Sequence, residues 1–138
     1  MFVTETGKCV FVLDETLSTG LAANAAAVLA TALTNTLRGV TGWDVSDADG
    51  EVHVAITQVA FPMLKASTEE VVRLHALAQR QEGVFVADFS HTAQHSRRYE
   101  EYAARMAQLP ADALRYLGIV LYGERGVVTR LTGHLPLL

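Results

Sequence analysis

The segment that follows one predicted strand holds the densest set of side chains able to do chemistry, Asp88 and Thr92 among them. Asp88 comes directly after the apolar run at residues 84–87, and Thr92 follows it four positions later. A carboxylate at Asp88 could orient or deprotonate a water, and the Thr92 hydroxyl could hydrogen-bond that water or the reacting carbonyl. The alternative is that both residues cap a helix that begins near Ala93, because Asp and Thr are favoured at helix starts. The sequence therefore predicts either a catalytic pair or a helix cap.

Two histidines in the same segment have the spacing of half a metal site. His91 and His95 are four positions apart, which places them on one face of a helix. No Glu follows His91, however, and Asp88 is the single nearby candidate for a third ligand. Because a structural zinc site ordinarily needs four ligands, we predict neither a metal ion nor another cofactor. We take His91 instead as a candidate ligand-binding residue.

A sheet has to position these side chains, and the hydrophobic pattern predicts one. Apolar runs rich in β-forming residues indicate buried strands, and apolar residues at helical spacing indicate helices that cover them. Because strands and helices alternate, the sequence predicts a three-layer α/β/α fold with a mixed sheet of about four to five strands, in one domain over residues 1–138. The predicted strands are residues 9–13, a hairpin at 43–46 and 52–56, an irregular segment at 59–65, 84–87 and 115–122, and the predicted helices are 17–33, one that begins with a capping box at Ser67, and 93–108.

The predicted sheet places further polar residues at the ends of its strands, where ligands gather in open α/β sheets. The loop after the first strand holds Asp14 and Ser18. Asn24 follows in the first helix, where it is either a hydrogen-bonded core amide or a ligand contact. We therefore predict one crevice bordered by Asp14, Asn24, Asp88 and Thr92, with Ser18 and His91 as further ligand-binding residues.

Composition excludes several classes of function. The net charge is −4, with nine arginines and two lysines, so no dense basic surface for nucleic acid is expected. A single cysteine, Cys9, excludes an internal disulfide and is expected to be an inert core residue. The first residues lack the basic and apolar segments of a signal peptide, and the apolar run at residues 20–33 is shorter than the ~20 residues of a membrane span. We predict a cytoplasmic protein with no membrane contact.

The last residues, 128–138, carry a tightly spaced pattern. Val128 and Leu131 continue an apolar stripe, and Gly133 is expected to turn left-handed after that helix. The following leucines, Leu135, Leu137 and Leu138, are expected to return to the core. This stretch resembles the end of type-two peptidyl-tRNA hydrolases. The whole chain resembles their uncharacterised bacterial relatives, the domain-of-unknown-function family numbered two thousand.

The resemblance implies a hydrolase-like fold and allows a comparison of site residues. The hydrolases carry an Asp followed four positions later by a Thr at the equivalent strand exit, with both implicated in catalysis, and Asp88 and Thr92 match that spacing. They also carry a lysine-rich loop after the first strand, whereas residues 14–21 contain no lysine. Donors that stabilise developing charge are often worth ~3 kcal/mol each, so tRNA is not expected as a partner.

Two functions follow from these observations. The first is a protein of unknown function that binds a small ligand or a partner in the crevice. The second is a hydrolase that acts on an ester or amide such as peptidyl-tRNA, with Asp88 and Thr92 as its catalytic residues. Alanines on both sides of the first helix also leave a smooth second face, and the related hydrolases pair through a two-fold axis, so we predict a homodimer.

Overall fold

The apolar segments form six strands and five helices in a computed structural model that covers Met1–Leu138. A 3₁₀ turn, Ala111–Ala113, precedes the last strand. The strands are β1 (Gly7–Asp14), β2 (Val45–Ser46), β3 (Val52–His53), β4 (Met63–Ala66), β5 (Phe85–Ser90) and β6 (Tyr116–Glu124). The helices are α1 (Thr19–Thr36), α2 (Thr68–Arg80), α3 (His91–Gln94), α4 (Tyr99–Met106) and α5 (Arg125–Thr132).

Four of the strands form one mixed sheet in the order β4-β1-β6-β5. β1 pairs with β4 in parallel, whereas β6 runs antiparallel to both β1 and β5. The carboxyl ends of β1, β4 and β5 therefore lie at the same edge of the sheet. The α/β class and the mixed sheet are confirmed. The predicted hairpin is shorter than expected and forms a separate two-stranded sheet of β2 and β3.

The pleat of the central strands divides the core into two layers, because successive side chains point to opposite faces. In β1, Cys9, Phe11 and Leu13 pack on the face covered by α1. Val10 and Val12 point the other way, into the layer completed by α2 and α5. The sheet thus lies between α1 on one side and α2 with α5 on the other.

Helix α1 begins after Ser18, whose hydroxyl accepts a hydrogen bond from the Leu21 amide at 3.3 Å. It continues to Thr36, three residues beyond the predicted end, because apolar side chains recur at helical spacing up to Leu33 and nothing breaks the last turn. At 18 residues it is the longest helix, yet neither it nor any other helix has the length and apolar character that crossing a bilayer requires.

The helix predicted at residues 93–108 is wrong, because the chain forms the two short helices α3 and α4 instead. The Ser96 hydroxyl donates a hydrogen bond to the Thr92 carbonyl at 2.7 Å, and His95 Nδ1 lies 2.8 Å from the His91 carbonyl oxygen. Side chains that bond to nearby carbonyls in this way compete with the helix ladder. Arg98 then adopts an extended conformation, with φ −131° and ψ 154°, and α4 restarts after it.

The last residues depart from expectation in two ways. The backbone of Gly133 adopts the right-handed helical conformation, with φ −64°, and not the left-handed conformation that was expected. A glycine is needed there for a different reason, because a Cβ would lie 2.7 Å from the Thr129 carbonyl oxygen. Leu137 and Leu138 do not return to the core but stay exposed, while the tail backbone pairs with β4 through Leu138 N–H and the Met63 carbonyl at 2.9 Å. Leu135, in contrast, is partly buried against the core, and the tail backbone covers the open edge of β4.

Candidate functional site

Asp88 is held by a histidine that comes from another element. The pleat of β5 directs the Asp88 side chain toward α2, where His75 is buried among apolar residues. His75 Nε2 and Asp88 Oδ2 are 2.9 Å apart, and about a quarter of the Asp88 side chain, 26%, remains exposed. The contact with His75 therefore fixes one carboxylate oxygen, while part of the Asp88 side chain stays in contact with solvent.

Two tyrosines complete the surroundings of this pair. The Tyr116 ring, at the start of β6, stacks on the His75 ring with 4.3 Å between their centroids. Burial raises the pKa of the Tyr116 phenol, and the negative charge of Asp88 raises it further. The same two causes, burial first, raise the pKa of Tyr102 in α4. Both phenols stay protonated at neutral pH and can donate hydrogen bonds.

Asp88, on the edge strand β5, is one of the residues that line a cleft of about 690 Å³ between the second half of α1, β5 and the start of α4. This volume lies within the range of ordinary small-molecule sites. Apolar lining comes from Val28, Phe89 and Tyr102, while the exposed side chains of Arg97 and Arg98 bring positive charge to the same cleft. The cleft therefore has an apolar wall and two guanidinium groups, and the Asp88 carboxylate lies on the α2 side of the strand that borders it.

The cleft also runs along an open edge of the sheet. β5 pairs with β6 alone, so its other side faces outward. From Phe85 to Phe89 no backbone group forms a hydrogen bond to any part of the chain other than β6. Unpaired groups on a strand edge can bond to amide groups of a ligand.

Asp14 lies at the end of β1 and is almost fully buried. One of its oxygens accepts hydrogen bonds from the Thr16 amide at 2.8 Å and the Thr16 hydroxyl at 2.7 Å, and the other accepts from the Thr68 hydroxyl at 2.7 Å. Burial raises the pKa of Asp14, but these hydrogen bonds, with a smaller contribution from the charge of His91, outweigh burial and lower it below its usual value. Asp14 joins β1 to the start of α2.

The structure does not bring the predicted crevice residues together. Asp88 lines the cleft, whereas Thr92 lines a separate shallow hollow with His91 and His95. Asn24 is exposed on α1, so the buried-amide interpretation is wrong, and Asp14 faces α2 on the opposite side of the sheet. The reason is the pleat, which sends β1 and β5 carboxylates to the α2 face while Asn24 belongs to the helix on the other face.

The capping interpretation of Asp88 and Thr92 is also wrong. Ser90 is the residue that begins α3, because its hydroxyl accepts a hydrogen bond from the Ala93 amide at 3.1 Å. Asp88 is still inside β5 at that point, and Thr92 already lies within α3. Neither residue is needed for the helix start.

The histidine pair and the cysteine have simple surroundings. The rings of His91 and His95 stack with 6.3 Å between centroids, and no group of three or more His, Cys, Asp or Glu side chains is placed to hold a metal ion. Cys9 is a core residue, and burial raises the pKa of its thiol to about 12. A thiol with so high a pKa is a poor nucleophile at neutral pH.

Sequence reasoning missed His75, which is the partner that gives Asp88 its fixed position. A signal was present, because His75 stands on the apolar stripe of α2 between Val71 and Ala78. A polar residue on a buried helix face requires a hydrogen-bond partner, and a strand-end carboxylate is a natural one. The partnership could not be assigned from spacing, since thirteen positions separate the two residues.

Comparisons with known proteins agree with this fold and add no activity. The family model described as "Protein of unknown function (DUF2000)" matches residues 7–138. A solved structure, described as that of a protein of unknown function, Atu0240, from Agrobacterium tumefaciens strain C58, superposes with a TM-score of 0.89. It covers 98% of this chain and 99% of that chain at 14% identity, which shows a shared fold. No curated protein matches the sequence.

Proposed function

The chain belongs to the DUF2000 family of proteins of unknown function, and we propose that it is a cytoplasmic protein that binds a small ligand in the cleft at Asp88. The observation that carries this proposal is the His75–Asp88 pair, in which a buried ring fixes a partly exposed carboxylate. A group already held in place loses little conformational entropy on binding. Asp88 is thus suited to anchor a ligand.

The lining of the cleft defines a class of ligand. The Asp88 carboxylate accepts hydrogen bonds from an amine or an amide N–H, and Arg97 and Arg98 attract a carboxylate or phosphate. The unpaired edge of β5 adds bonds for an amide group. We therefore propose a small molecule with a donor at one end and an acidic group at the other. The side chains of Asp14, Ser18, Asn24 and His91 do not line this cleft, so they are not part of the proposed site. Their ligand contacts stay predictions.

A zwitterionic dipeptide is the probe that tests this proposal. In an amide NMR titration, alanyl-alanine should shift the signals of Asp88 and Ser96, which line the cleft, and leave those of α5 unchanged. Acetylation of the probe's amine should weaken binding at least about tenfold, because the donor to Asp88 is lost. Asp88→Asn should weaken the binding of alanyl-alanine similarly. Equal binding of the two probes, or equal binding by Asp88→Asn, would remove Asp88 from the proposed role.

The second candidate function is hydrolysis of an ester or amide in a type-two peptidyl-tRNA hydrolase-like fold. The His75–Asp88 pair favours it, since a carboxylate oriented by a histidine could deprotonate a water. Thr92 belongs to a different hollow, which weakens its proposed part in the same reaction. Incubation of the purified protein with a peptidyl-tRNA should release the peptide, and Asp88→Ala should abolish the release. No release by the wild-type protein, or equal release by both forms, would reject this candidate.

We also propose that the protein is a homodimer that pairs through α1. The outer side of this helix exposes Ala23 and Ala27, together with parts of Leu21 and Val28, and carries no charged residue. A closed two-fold contact uses the same surface on both copies, so a smooth helix face is well suited to it.

A further inference from the structure

The hairpin projects apolar side chains into solvent. We name this segment, residues 43–56, the apolar arm; it contains β2, β3 and their flanks. Its large apolar residues leave between 53% and 80% of their area exposed. They are Trp43, Val45, Val52, Val54 and Ile56. Val45 lies opposite His53, so Val52, Val54 and Ile56 point to one face of the hairpin and Trp43 and Val45 to the other, and each face carries an apolar patch of roughly 300 Å².

Hydrogen bonds, and not apolar packing, hold the arm in place. The amide of Gly42 donates to the Ile56 carbonyl at 2.9 Å at its base, and the Ala55 amide donates to the Asp44 carboxylate at 2.9 Å. At its tip, the Asp47 carboxylate accepts from the Glu51 amide at 3.0 Å. A two-stranded hairpin with no packed face is only marginally stable in water. The arm therefore has a defined shape but lacks a surface against which its side chains can be buried.

The charges near the arm restrict what can cover it. The segment from residue 41 to 58 has four carboxylates and no lysine or arginine. An anionic membrane surface attracts basic segments, so it is a poor partner for this one. α1, in contrast, contains no charged residue from Thr19 to Thr36. The carboxylates of the arm meet no like charge on that helix.

We propose that the apolar arm of one copy packs on α1 of a second copy, and that the second arm packs reciprocally on the first α1. This inference rests on the proposed homodimer and assigns its contact residues: Val54 and Ile56 from the arm, and Ala23 and Ala27 from α1. Because the contact is reciprocal, each copy buries one face of its arm, roughly 300 Å², and a similar area of its α1, and together these reach the lower limit of a specific interface, about 600 Å² per copy.

Sedimentation equilibrium at micromolar concentration tests the interface. The wild-type protein should have twice the 14.9 kDa mass of the chain. The double variant Val54→Asp/Ile56→Asp should weaken association at least about 100-fold and leave the circular dichroism unchanged, because both side chains are exposed in the single copy. Leu137→Asp is the matched control, because Leu137 is similarly exposed but lies at the edge of β4. This variant should remain dimeric. A monomeric wild type would reject both the homodimer and the arm contact, and a dimeric double variant would reject the arm contact alone.

A disulfide between copies tests the pairing of arm with helix. When Val54→Cys protein is mixed with Ala27→Cys protein and oxidised, the crosslinked species should contain one chain of each kind. Cys9 does not compete, because it is buried and its thiol has a raised pKa. A crosslink of Val54→Cys with itself in preference to the mixed species would show arm-to-arm contact and overturn the proposal.

Discussion

At the scale of single residues, burial decides how much a histidine–carboxylate pair contributes. His75 and Asp88 approach to 2.9 Å with the ring buried, whereas His134 and Glu70 approach to 3.0 Å with the ring more than half exposed. Water screens the second pair and competes for its hydrogen bonds, and screens the first far less. The two pairs have nearly the same geometry but should differ in their effect on stability.

Replacement of His75 measures this difference. His75→Ala removes the hydrogen bond to Asp88 and the stacking on Tyr116, and it leaves a cavity, so it should lower the free energy of unfolding by about 3 kcal/mol. His134→Ala, the control, should lower it by less than about 1 kcal/mol because its pair is exposed. Urea unfolding followed by circular dichroism gives both values. Similar losses in the two variants would contradict the dependence on burial.

Gly133 offers a second test at this scale. Gly133→Ala places a methyl group 2.7 Å from the Thr129 carbonyl oxygen, a backbone atom that cannot move aside alone. We expect a loss of about 2 kcal/mol in the free energy of unfolding. Gly20→Ala, in open space inside α1, should instead stabilise the protein by about 0.5 kcal/mol, since alanine favours helix over glycine. Thermal unfolding of both variants should therefore shift in opposite directions.

At the scale of elements, a single threonine links the ends of two of them. The Thr68 hydroxyl, at the start of α2, donates a hydrogen bond to Asp14 at the end of β1. Thr68→Val keeps the shape of the side chain and leaves one oxygen of a buried carboxylate without its donor, so the free energy of unfolding should fall by about 2 kcal/mol. Thr31→Val removes a hydroxyl exposed on α1 and should change it by less than about 0.5 kcal/mol. Urea unfolding of the two variants provides the comparison.

The class of each long element could be predicted from the sequence, but their limits and partners could not. The continuous apolar runs identify β1, β5 and β6 as strands, and the apolar residues at helical spacing identify α2 as a helix. The break between α3 and α4 depends on Ser96 and His95 bonding to carbonyls, which no periodicity reveals. The sequence indicates Asp88 as a candidate site residue, whereas its hydrogen bond to His75 depends on the packing of α2 on β5. The prediction of one common crevice is wrong for the same reason. The sequence indicates where the strands end, but not to which face of the sheet the side chains at those ends point.

At the scale of the whole molecule, acid should destabilise the fold through several carboxylates. The pKa values of Asp14, Asp47, Glu70 and Glu124 are all lowered in the folded chain, that of Glu70 to about 2, chiefly by the hydrogen bond from Arg73. A group whose pKa is lower in the folded state stabilises it fully above the unfolded pKa, near ~4, and this contribution is lost as pH falls through the folded value.

We therefore expect the urea midpoint to be constant from pH 7 to about pH 5 and then to fall between about pH 4 and pH 2. Glu70→Gln should reduce the fall at its lower end, because the folded pKa of Glu70 is about 2. Glu100→Gln, which removes an exposed carboxylate on α4, is the control and should leave the curve unchanged. A midpoint that rises on acidification would contradict the direction of these shifts.

The position of β6 has a consequence for synthesis of the protein. β6 is the last strand along the chain, yet it lies between β1 and β5 and hydrogen-bonds to both. While the ribosome still holds residues 116–124, β1 and β5 have no neighbour between them, and the two strands cannot meet. β1 can already pair with β4 at that stage, but β5 has no strand partner until residues 116–124 leave the ribosome, so β5 is the strand exposed to aggregation during that period.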